Sequence, residues 1–220
     1  MKIGVIITAG GTSSRFGNTN KLLEKINNQE IIKYTVEAFL LESISQIIIC
    51  ANKTIISELQ KIFKNNNRIK IIEGGSTRQE SVYNGLNTIN CDYVLIHDGA
   101  RPIITKEVIQ NTIQSVIEKK AVSVMTKTVD TIKEVDQNGK IIKTLDRQKL
   151  YNTQTPQAFE YNLIKAAHEK FKNQNFTDDA GLVEIYGHEV YTVQGDYRNI
   201  KVTTKSDLAL AEIYLGEIYG

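Results

Sequence analysis

A pair of glycines followed by two basic residues is the first stretch of the chain that could do chemistry. Thr8-Ala9-Gly10-Gly11 precedes Arg15 and Lys21. Glycines let the backbone bend tightly and let its N–H groups approach a ligand closely. N–H donors beside two cations can bind phosphate. The alternative interpretation is a surface turn whose two cations are solvated.

The spacing of this loop differs from two well-defined nucleotide-binding patterns. No Gly-Lys-Ser or Gly-Lys-Thr closes it, as a P-loop would require. Its glycines also lack the G-x-G-x-x-G spacing of the dinucleotide fingerprint. The sequence therefore argues against an NAD-dependent dehydrogenase.

A second glycine-rich run lies between a short apolar run and a helical pattern, and reads Gly74-Gly75-Ser76-Thr77-Arg78. Free N–H groups at the start of a helix can face a nucleobase, a ribose or a phosphate. A Gly-Gly turn with Ser76 as the helix cap would be equally ordinary. This run alone does not decide between a binding loop and a structural turn.

An acid and an arginine three residues apart follow the most apolar strand, in His97-Asp98-Gly99-Ala100-Arg101-Pro102. Asp98 and Arg101 could bind Mg²⁺ or a hydroxyl together with a phosphate. Alternatively, Asp98 caps the next helix and pairs with Arg101. We predict that His97 is a core residue at a strand end and not a catalyst.

Further polar groups lie later in the chain. Thr131 and Arg147 fall in a segment that we expect to project, and the guanidinium of Arg147 would suit a phosphate dianion if a dimer placed it over a neighbouring site. Lys201 ends a late strand and could reach the same cleft as the earlier cations. Thr177-Asp178-Asp179 is most simply a helix cap with acids in the first turn.

Apolar runs rich in β-branched residues alternate with helical patterns along most of the chain. Strands are predicted at residues 3–7, 46–51, 69–72, 93–97, 121–125 and 190–193, and helices at 30–41, 55–63, 76–86, 106–119, 163–171, 177–185 and 205–219. Repeated β-α units predict an α/β fold with a mostly parallel twisted sheet and helices on both faces. Ligands of such sheets bind at the carboxyl ends of the strands.

Residues 128–159 break this rhythm. Apolar and polar residues alternate around Asn138-Gly139, which is a hairpin signal, and Gln154-Thr155-Pro156-Gln157 falls on or just after the hairpin. A hairpin has little core of its own, so we expect a projecting β-arm that packs on a partner subunit. The sequence thus predicts one domain, 1–220, with 128–159 as a dimerisation arm.

Composition bounds the remaining possibilities. The 220 residues are 41% hydrophobic and carry a net charge of +2, so no broad basic face for nucleic acid is indicated. Cys50 and Cys91 have no metal-like spacing and are interpreted as reduced core thiols. Met1-Lys2 leads directly into the first strand and no apolar run approaches membrane-spanning length. We therefore expect a cytoplasmic protein that binds no membrane.

The order of these motifs is more specific than any one of them. The glycine loop with Arg15 and Lys21 is followed by GGSTRQESVYNGL, HDGARP, the arm with DT and R, QTPQ, TDDA and NIKVTT. Over essentially its whole length the chain resembles the 2-C-methyl-D-erythritol 4-phosphate cytidylyltransferases of non-mevalonate isoprenoid biosynthesis. The resemblance implies a Rossmann-like nucleotidyltransferase fold, a homodimer with exchanged arms, CTP and a sugar-alcohol phosphate as substrates, and Mg²⁺ or another divalent cation.

The resemblance also implies roles at matching positions. Arg15 and Lys21 would stabilise the transition state, and Arg147 and Lys201 would position the acceptor phosphate. Asp98, Arg101 and Thr131 would complete the acceptor pocket, with Asp98 also a candidate metal ligand. The nucleotide site would be lined by Ala9, Gly10, Gly11, Gly75, Ser76, Ser81 and Gly99.

The chain departs from the family pattern at four positions, three of them among the residues above. It has Ser13 where a glycine is usual, Ser76 where an acid is often found, and Gly10 and Gly99 where alanine is often found. The departures bear on base and ribose contacts more than on phosphate chemistry.

Two rival functions remain open on the same resemblance. A sister activity would transfer cytidylyl to ribitol 5-phosphate, although GGSTRQESVYNGL and TDDAGLVE fit the isoprenoid branch better. A silent homologue would bind CTP without releasing pyrophosphate, and the presence of Arg15, Lys21, Asp98 and Lys201 argues against it.

Overall fold

A computed structural model describes residues 1–11 and 20–219 of the chain. Its strands are β1 (Ile3–Ala9), β2 (Lys25–Ile26), β3 (Gln29–Glu30), β4 (Ile44–Ala51), β5 (Ile69–Glu73), β6 (Tyr93–Asp98), β7 (Ala121–Lys127), β8 (Lys133–Val135), β9 (Ile141–Thr144), β10 (Tyr151–Glu160) and β11 (Tyr191–Gln194). Its helices are α1 (Ile31–Ala38), α2 (Ile56–Phe63), α3 (Arg78–Leu86), α4 (Lys106–Lys119), α5 (Tyr161–Lys170), α6 (Asp179–Tyr186) and α7 (Lys205–Tyr219).

The centre of the described chain is a seven-stranded sheet in the order β11-β7-β10-β6-β1-β4-β5. Within it β10 alone runs antiparallel to its neighbours β6 and β7, and every other described pair is parallel. The predicted α/β fold with a mostly parallel sheet is therefore confirmed.

Helices cover both faces of the sheet because the side chains of a buried strand alternate between two apolar layers. Val5 and Ile7 of β1 pack in one layer with α1, α2 and α4, whereas Ile6 packs in the other with α3, α5 and α6. The last helix, α7, packs Ala211 and Leu215 in a smaller cluster with Ile26. The sheet is thus shielded on both sides, and ligands have access at its strand ends.

The strand order reverses at β1. From β1 the chain builds β4 and then β5 on one side, and it next crosses to the other side of β1 to form β6. In an open α/β sheet this reversal leaves a crevice at the carboxyl ends of the two strands that flank it. The crevice here lies between the end of β1 at Ala9 and the end of β6 at Asp98.

Most of the predicted elements occur within a few residues of their expected bounds, and α4 and α7 match theirs. The cap of α3 is Thr77 and not Ser76, because the Thr77 side chain accepts a hydrogen bond from Glu80 N–H. The cap of α4 is Thr105, so the alternative in which Asp98 caps that helix is wrong.

The predicted arm, 128–159, is too long. The hairpin is β8 and β9, whose side chains are all exposed, whereas β10 lies in the middle of the central sheet between β7 and β6. Proline is rare inside a central strand, so the presence of Pro156 led the sequence analysis to miss β10 as a strand of the central sheet. The register shifts between Thr153 and Gln157, and the proline falls in that interruption of the ladder.

Two smaller expectations can be compared with the structure. Cys50 and Cys91 are free and buried, as predicted, and burial raises the pKa of each thiol to about 12. Over residues 1–11 and 20–219, no helix is both long enough and apolar enough to cross a membrane.

Candidate active site

A cleft of about 420 Å³ opens at the crevice between β1 and β6. It brings together nine of the residues singled out in the sequence, which come from six separate stretches of the chain. These are Ala9, Gly10, Gly11, Lys21, Gly75, Ser76, Ser81, Asp98 and Lys201. The two glycine-rich runs therefore line the same space, and they lie side by side, since a Cβ atom on Gly10 would be 3.1 Å from the Ser81 oxygen.

The first wall of the cleft is the end of β1 and the short 3-10 helix at Lys21–Leu23. The side chain of Asn20 caps that helix by accepting from Leu22 N–H at 3.1 Å, and Leu22 is buried in the main core. This anchoring fixes the backbone from which Lys21 reaches the cleft. Arg15, together with Ser13, lies outside the described residues.

The turn before α3 forms the neighbouring wall of the cleft, and Ser81 holds it in shape. The Ser81 hydroxyl accepts from Gly75 N–H at 3.0 Å and donates to Thr77 O at 2.8 Å. A Cβ atom on Gly74 would lie 2.9 Å from the Ser81 oxygen, so a side chain at residue 74 would displace that hydroxyl. Glu80 accepts from both the N–H and the hydroxyl of Ser76 at the rim.

Asp98 lies at the centre of a charged cluster. Within the described part of the chain, its carboxylate is 2.8 Å from Lys201 Nζ, 3.3 Å from Arg78 Nε and 3.6 Å from Arg101 Nε. Burial opposes ionisation of this carboxyl group, but the charges of Arg78, Lys201 and Arg101 outweigh it and hold its pKa well below the usual range. Asp98 is therefore an anion that gathers cations around the cleft.

Two hydrogen bonds between neighbouring segments of the chain place Lys201 and Arg101 beside Asp98. Val202 N–H donates to Ala100 O at 2.8 Å, and Arg101 Nη1 donates to Asn199 O at 2.8 Å. Asn199 is itself buried and donates to Thr155 O at 2.9 Å. The segments at residues 98–101 and 199–202 are thus joined into one wall of the cleft.

The run Gln154-Thr155-Pro156-Gln157, expected on the arm, is part of the scaffold of the site. Thr155 Oγ1 accepts from Asp98 N–H at 3.1 Å and lies 3.0 Å from His97 Nδ1. His97 Nε2 lies 3.1 Å from Arg101 O, which can only accept, so that nitrogen carries the proton. Thr155 then donates to Nδ1, and burial lowers the pKa of His97 to about 4. His97 is a neutral core residue, as the sequence predicted.

Arg78 is a cleft residue to which sequence reasoning assigned no role. Its guanidinium lies between two acids, with Nη1 2.6 Å from Asp179 Oδ2 and Nε 3.3 Å from Asp98 Oδ1. Burial alone would lower the pKa of Arg78, but the two carboxylates raise it above its ordinary value. The sequence did contain a signal for this role, because Arg78 falls at the start of a predicted helix. A cation there is unfavourable unless acids pair with it, so acidic partners could have been expected.

Some predicted residues do not line this cleft in the single chain. Gly99 is buried below it, where a Cβ atom would lie 3.0 Å from Thr8 O, and its neighbour Ala100 forms the surface instead. Thr131 and Arg147 are exposed near the hairpin, and Arg147 Nη1 donates to Val129 O at 3.3 Å. Arg101 contacts the cleft through Asp98.

The arrangement suits a nucleotide and a second anion. Gly10, Gly11 and Lys21 line the cleft, and Lys201, Arg78 and Arg101 supply positive charge around the Asp98 carboxylate. In the turn before α3 the N–H groups of Gly74, Gly75 and Ser76 are already donated to Ala51 O, Ser81 Oγ and Glu80 Oε2, so this turn shapes the cleft. His97 is neutral and lies outside the lining of the cleft. A site of this kind at the strand-order reversal of a mostly parallel sheet is that of a nucleotide-binding α/β protein.

The family model of 2-C-methyl-D-erythritol 4-phosphate cytidylyltransferase (IspD) matches residues 3–217, and the chain belongs to that family. The protein of that name from Caldanaerobacter subterraneus subsp. tengcongensis is 40% identical, covering 98% of this chain and 99% of the relative. The protein of the same name from Clostridioides difficile is 43% identical, covering 94% of this chain and 91% of the relative. Enzymes of this class generally use a divalent cation.

Solved structures give the same answer for the fold. The crystal structure of 4-diphosphocytidyl-2C-methyl-D-erythritol synthase from Anaerococcus prevotii superposes with a TM-score of 0.88 at 32% identity, covering 98% of this chain and 96% of that one. The Francisella tularensis enzyme superposes with a TM-score of 0.82 at 29% identity, covering 97% and 100%.

Proposed function

We propose that the chain transfers the cytidylyl group of CTP to 2-C-methyl-D-erythritol 4-phosphate, giving 4-diphosphocytidyl-2-C-methyl-D-erythritol and pyrophosphate. The observation that carries this proposal is the cleft that two glycine turns line and in which Asp98 gathers cations, in a chain of this family. Its substrates are thus CTP and a sugar-alcohol phosphate.

The reaction is an in-line displacement at phosphorus. An oxygen of the acceptor phosphate forms a bond to the α-phosphorus of CTP while the bond from that phosphorus to the bridging oxygen breaks, and pyrophosphate leaves with the electron pair. The attacking phosphate is already an anion at neutral pH, so no side chain has to remove a proton. Catalysis then consists of bringing two anions together and stabilising the charge that develops.

The described residues divide this work between them. Ala9, Gly10, Gly11, Gly75, Ser76 and Ser81 would line the nucleotide site, with Gly99 supporting it from below, and Lys21 would stabilise the transition state. We propose the same role for Arg15, which lies outside the described residues. Lys201 would hold the acceptor phosphate, with Asp98 and Arg101 completing its pocket. The fixed wall formed by residues 98–101 and 199–202 supports this division, because it brings Lys201 and Arg101 to one side of the cleft.

We assign Mg²⁺ to this site as the divalent cation. Among the described residues no cluster of three or more metal-ligating side chains occurs, which fits the mode in which Mg²⁺ is held by one carboxylate and by substrate phosphates. Asp98, whose carboxylate also pairs with Arg78, Arg101 and Lys201, is the described residue that would hold the ion together with the substrate phosphates. Such an ion would supply charge neutralisation of the phosphates and would make the α-phosphorus more electrophilic.

We also propose that the chain is a single domain that forms a homodimer through its hairpin arm. Val135, Ile141 and Ile142 on the hairpin are each more than half exposed, and a hairpin is marginally stable by itself. A partner subunit that covers them would also bring Thr131 and Arg147 near a neighbouring cleft, where Arg147 could bind the acceptor phosphate.

The free thiols of Cys50 and Cys91 support a cytoplasmic location.

The experiment that tests this function is pyrophosphate release by the purified protein with Mg²⁺ and CTP. Methylerythritol 4-phosphate and ribitol 5-phosphate are offered in parallel as acceptors. Release with only the first acceptor is expected. Release with only the second would keep the mechanism and overturn the substrate, and CTP binding without release from either acceptor would identify a silent homologue.

A further inference from the structure

We propose that Asp179 is a positioning residue for the transfer reaction. It holds the guanidinium of Arg78 against Asp98 and thereby fixes the carboxylate at the centre of the cleft. Asp179 lies on α6, has 2% of its side chain exposed, and does not line the cleft. The inference rests on the proposed function, because it concerns how the acceptor pocket is held.

The contacts form one continuous path from α6 to the cleft. Asp179 Oδ2 accepts from Arg78 Nη1 at 2.6 Å, and Arg78 Nε donates to Asp98 Oδ1 at 3.3 Å. Because the guanidinium is planar and rigid, fixing one of its ends fixes the direction of the other. Asp179 therefore determines where Arg78 meets Asp98.

Asp179 is itself fixed from strand β10. Gln157 Oε1 accepts from the backbone N–H groups of Asp179 and Ala180 at 2.9 and 3.1 Å, and Gln157 Nε2 donates to Asp178 Oδ2 at 2.8 Å. Asp178 caps α6 by accepting from Gly181 N–H at 3.0 Å. Thus Asp178 performs the capping that the sequence suggested for this acidic pair, and the carboxylate of Asp179 is directed inward.

The second oxygen of Asp179 is also engaged. His168 Nε2 lies 3.2 Å from Asp179 Oδ1, and both side chains are almost fully buried. Burial of Asp179 opposes its ionisation, but Arg78 and His168 outweigh it and keep its pKa below the ordinary value. An ionised carboxylate only accepts, so Nε2 of His168 donates. With one oxygen held by His168 and the other by Arg78, the carboxylate cannot rotate freely.

Stability alone does not account for this arrangement. Burying an ion pair removes two charges from water, and well-packed apolar residues in its place are often as stable or more so. Arg78 moreover lies in the first turn of α3, where the helix dipole disfavours a cation. The buried ion pair and the cation at the start of a helix both lower stability, and both lie at the edge of the cleft. Rigid placement of charge contributes to catalysis there.

The test compares two variants with two controls in the full-length protein. Asp179→Asn removes the charge that holds Arg78, and Arg78→Lys keeps the charge but loses the rigid fork. Asp92→Asn is the control for the first, because Asp92 lies at the amino end of β6 and accepts from Lys2 N–H. Arg68→Lys is the control for the second, because Arg68 donates to Leu41 O and Ile44 O at the opposite edge of the sheet.

For each protein kcat, the KM of each substrate and the thermal midpoint are measured. We expect both variants to lower kcat/KM for the acceptor by about 10–100-fold, by analogy with the loss when the outer partner of a metal ligand is removed. The KM for CTP should change little, because Arg78 does not contact the glycine turns through any of its ion pairs. The two controls should keep wild-type kinetics whatever their stability.

The outcomes separate the two proposals. If the wild-type protein does not release pyrophosphate, the proposed function is wrong. If the wild type is active and both variants keep its kinetic constants, Asp179 has no positioning role. A loss of activity that only follows the loss of folded protein, with both KM values unchanged, would likewise assign Asp179 to stability. If Asp179→Asn does not fold, Arg78→Lys decides by the same criteria.

Discussion

Lys201 Nζ lies 2.8 Å from Asp98 Oδ2, so the cation that we assign to the acceptor phosphate is already paired in the free enzyme. The two partners differ in burial, since 42% of the Lys201 side chain is exposed but only 9% of the Asp98 side chain. The pair therefore has one partner that belongs to the interior and one that reaches into the cleft.

This asymmetry predicts opposite behaviour for two variants. Asp98→Asn should lower the free energy of unfolding by about 3–5 kcal/mol, because it leaves the largely buried Arg101 without its charge partner. Lys201→Ala should change stability little, because exposed ion pairs contribute little, yet it should raise the KM of the acceptor. Urea unfolding at neutral pH and steady-state kinetics measure the two effects, and equal destabilisation by both variants would contradict the assignment.

Lys21 should contribute to turnover more than to binding. Lys21→Ala is expected to lower kcat by about 10²–10³, or roughly 3–4 kcal/mol, by analogy with the loss of one preorganised donor to a developing negative charge. The matched control is Lys25→Ala, because Lys25 is four residues away and pairs with Glu30 at 3.4 Å outside the cleft. A wild-type kcat in the Lys21 variant would remove this residue from the mechanism.

Arg147 should act on one substrate only, and from the neighbouring subunit. Arg147→Ala is expected to raise the KM of the acceptor far more than that of CTP, because we assign Arg147 to the acceptor phosphate. Lys149→Ala is the control, since Lys149 shares the same exposed turn, Arg147–Lys149. Equal effects on both substrates would contradict the assignment.

Mixing subunits tests whether the arm is exchanged. Co-refolded Lys21→Ala and Arg147→Ala chains would form heterodimers in which one of the two clefts has both residues intact. Activity above that of either parent is then expected. If the two chains carry different affinity tags and tandem purification isolates the heterodimer, absence of rescue in that heterodimer would mean that both residues act within one chain.

Local patterns predicted those parts of the fold in which burial and spacing agree. Buried strands such as β4 and amphipathic helices such as α4 follow directly from apolar periodicity. The strand β10 was missed because its central residues are polar and include Pro156. Their side chains are nevertheless buried, since Thr155 and Gln157 hydrogen bond to other segments of the site. A hydrophobicity pattern cannot recognise a polar residue that is satisfied by distant partners.

The sequence predicted which residues form the site, but it did not predict the ion pairs between them. The glycine turns, Asp98 and Lys201 could be named from the sequence, and the structure places them in one cleft. The Arg78–Asp179 contact joins residues far apart in the chain, and nothing local indicates which acid an arginine will meet. Such pairs depend on how helices are placed on the sheet, and this follows from packing of the whole chain.

The buried His97 gives a prediction for stability against pH. Its pKa is about 4 in the fold and 6.5 ordinarily, so between these values the unfolded chain binds a proton that the folded chain does not. Stability must then fall as the pH is lowered from 6.5 towards 4, and about 2 kcal/mol should be lost by pH 5. Protonation of the ring would also place a donor on Nδ1 opposite the hydroxyl of Thr155, which already donates to it.

His97→Gln isolates this effect, because an amide can donate to Arg101 O and accept from Thr155 without titrating. The free energy of unfolding is measured in urea at pH 7 and pH 5 for both proteins. The advantage of wild type over the variant should shrink by about 2 kcal/mol between the two, since the variant has no proton to gain at this position. An equal difference at both pH values would mean that His97 titrates in the fold as it does in the unfolded chain. In that case the neutral His97 ring would not fix the Thr155 hydroxyl, which accepts from Asp98 N–H.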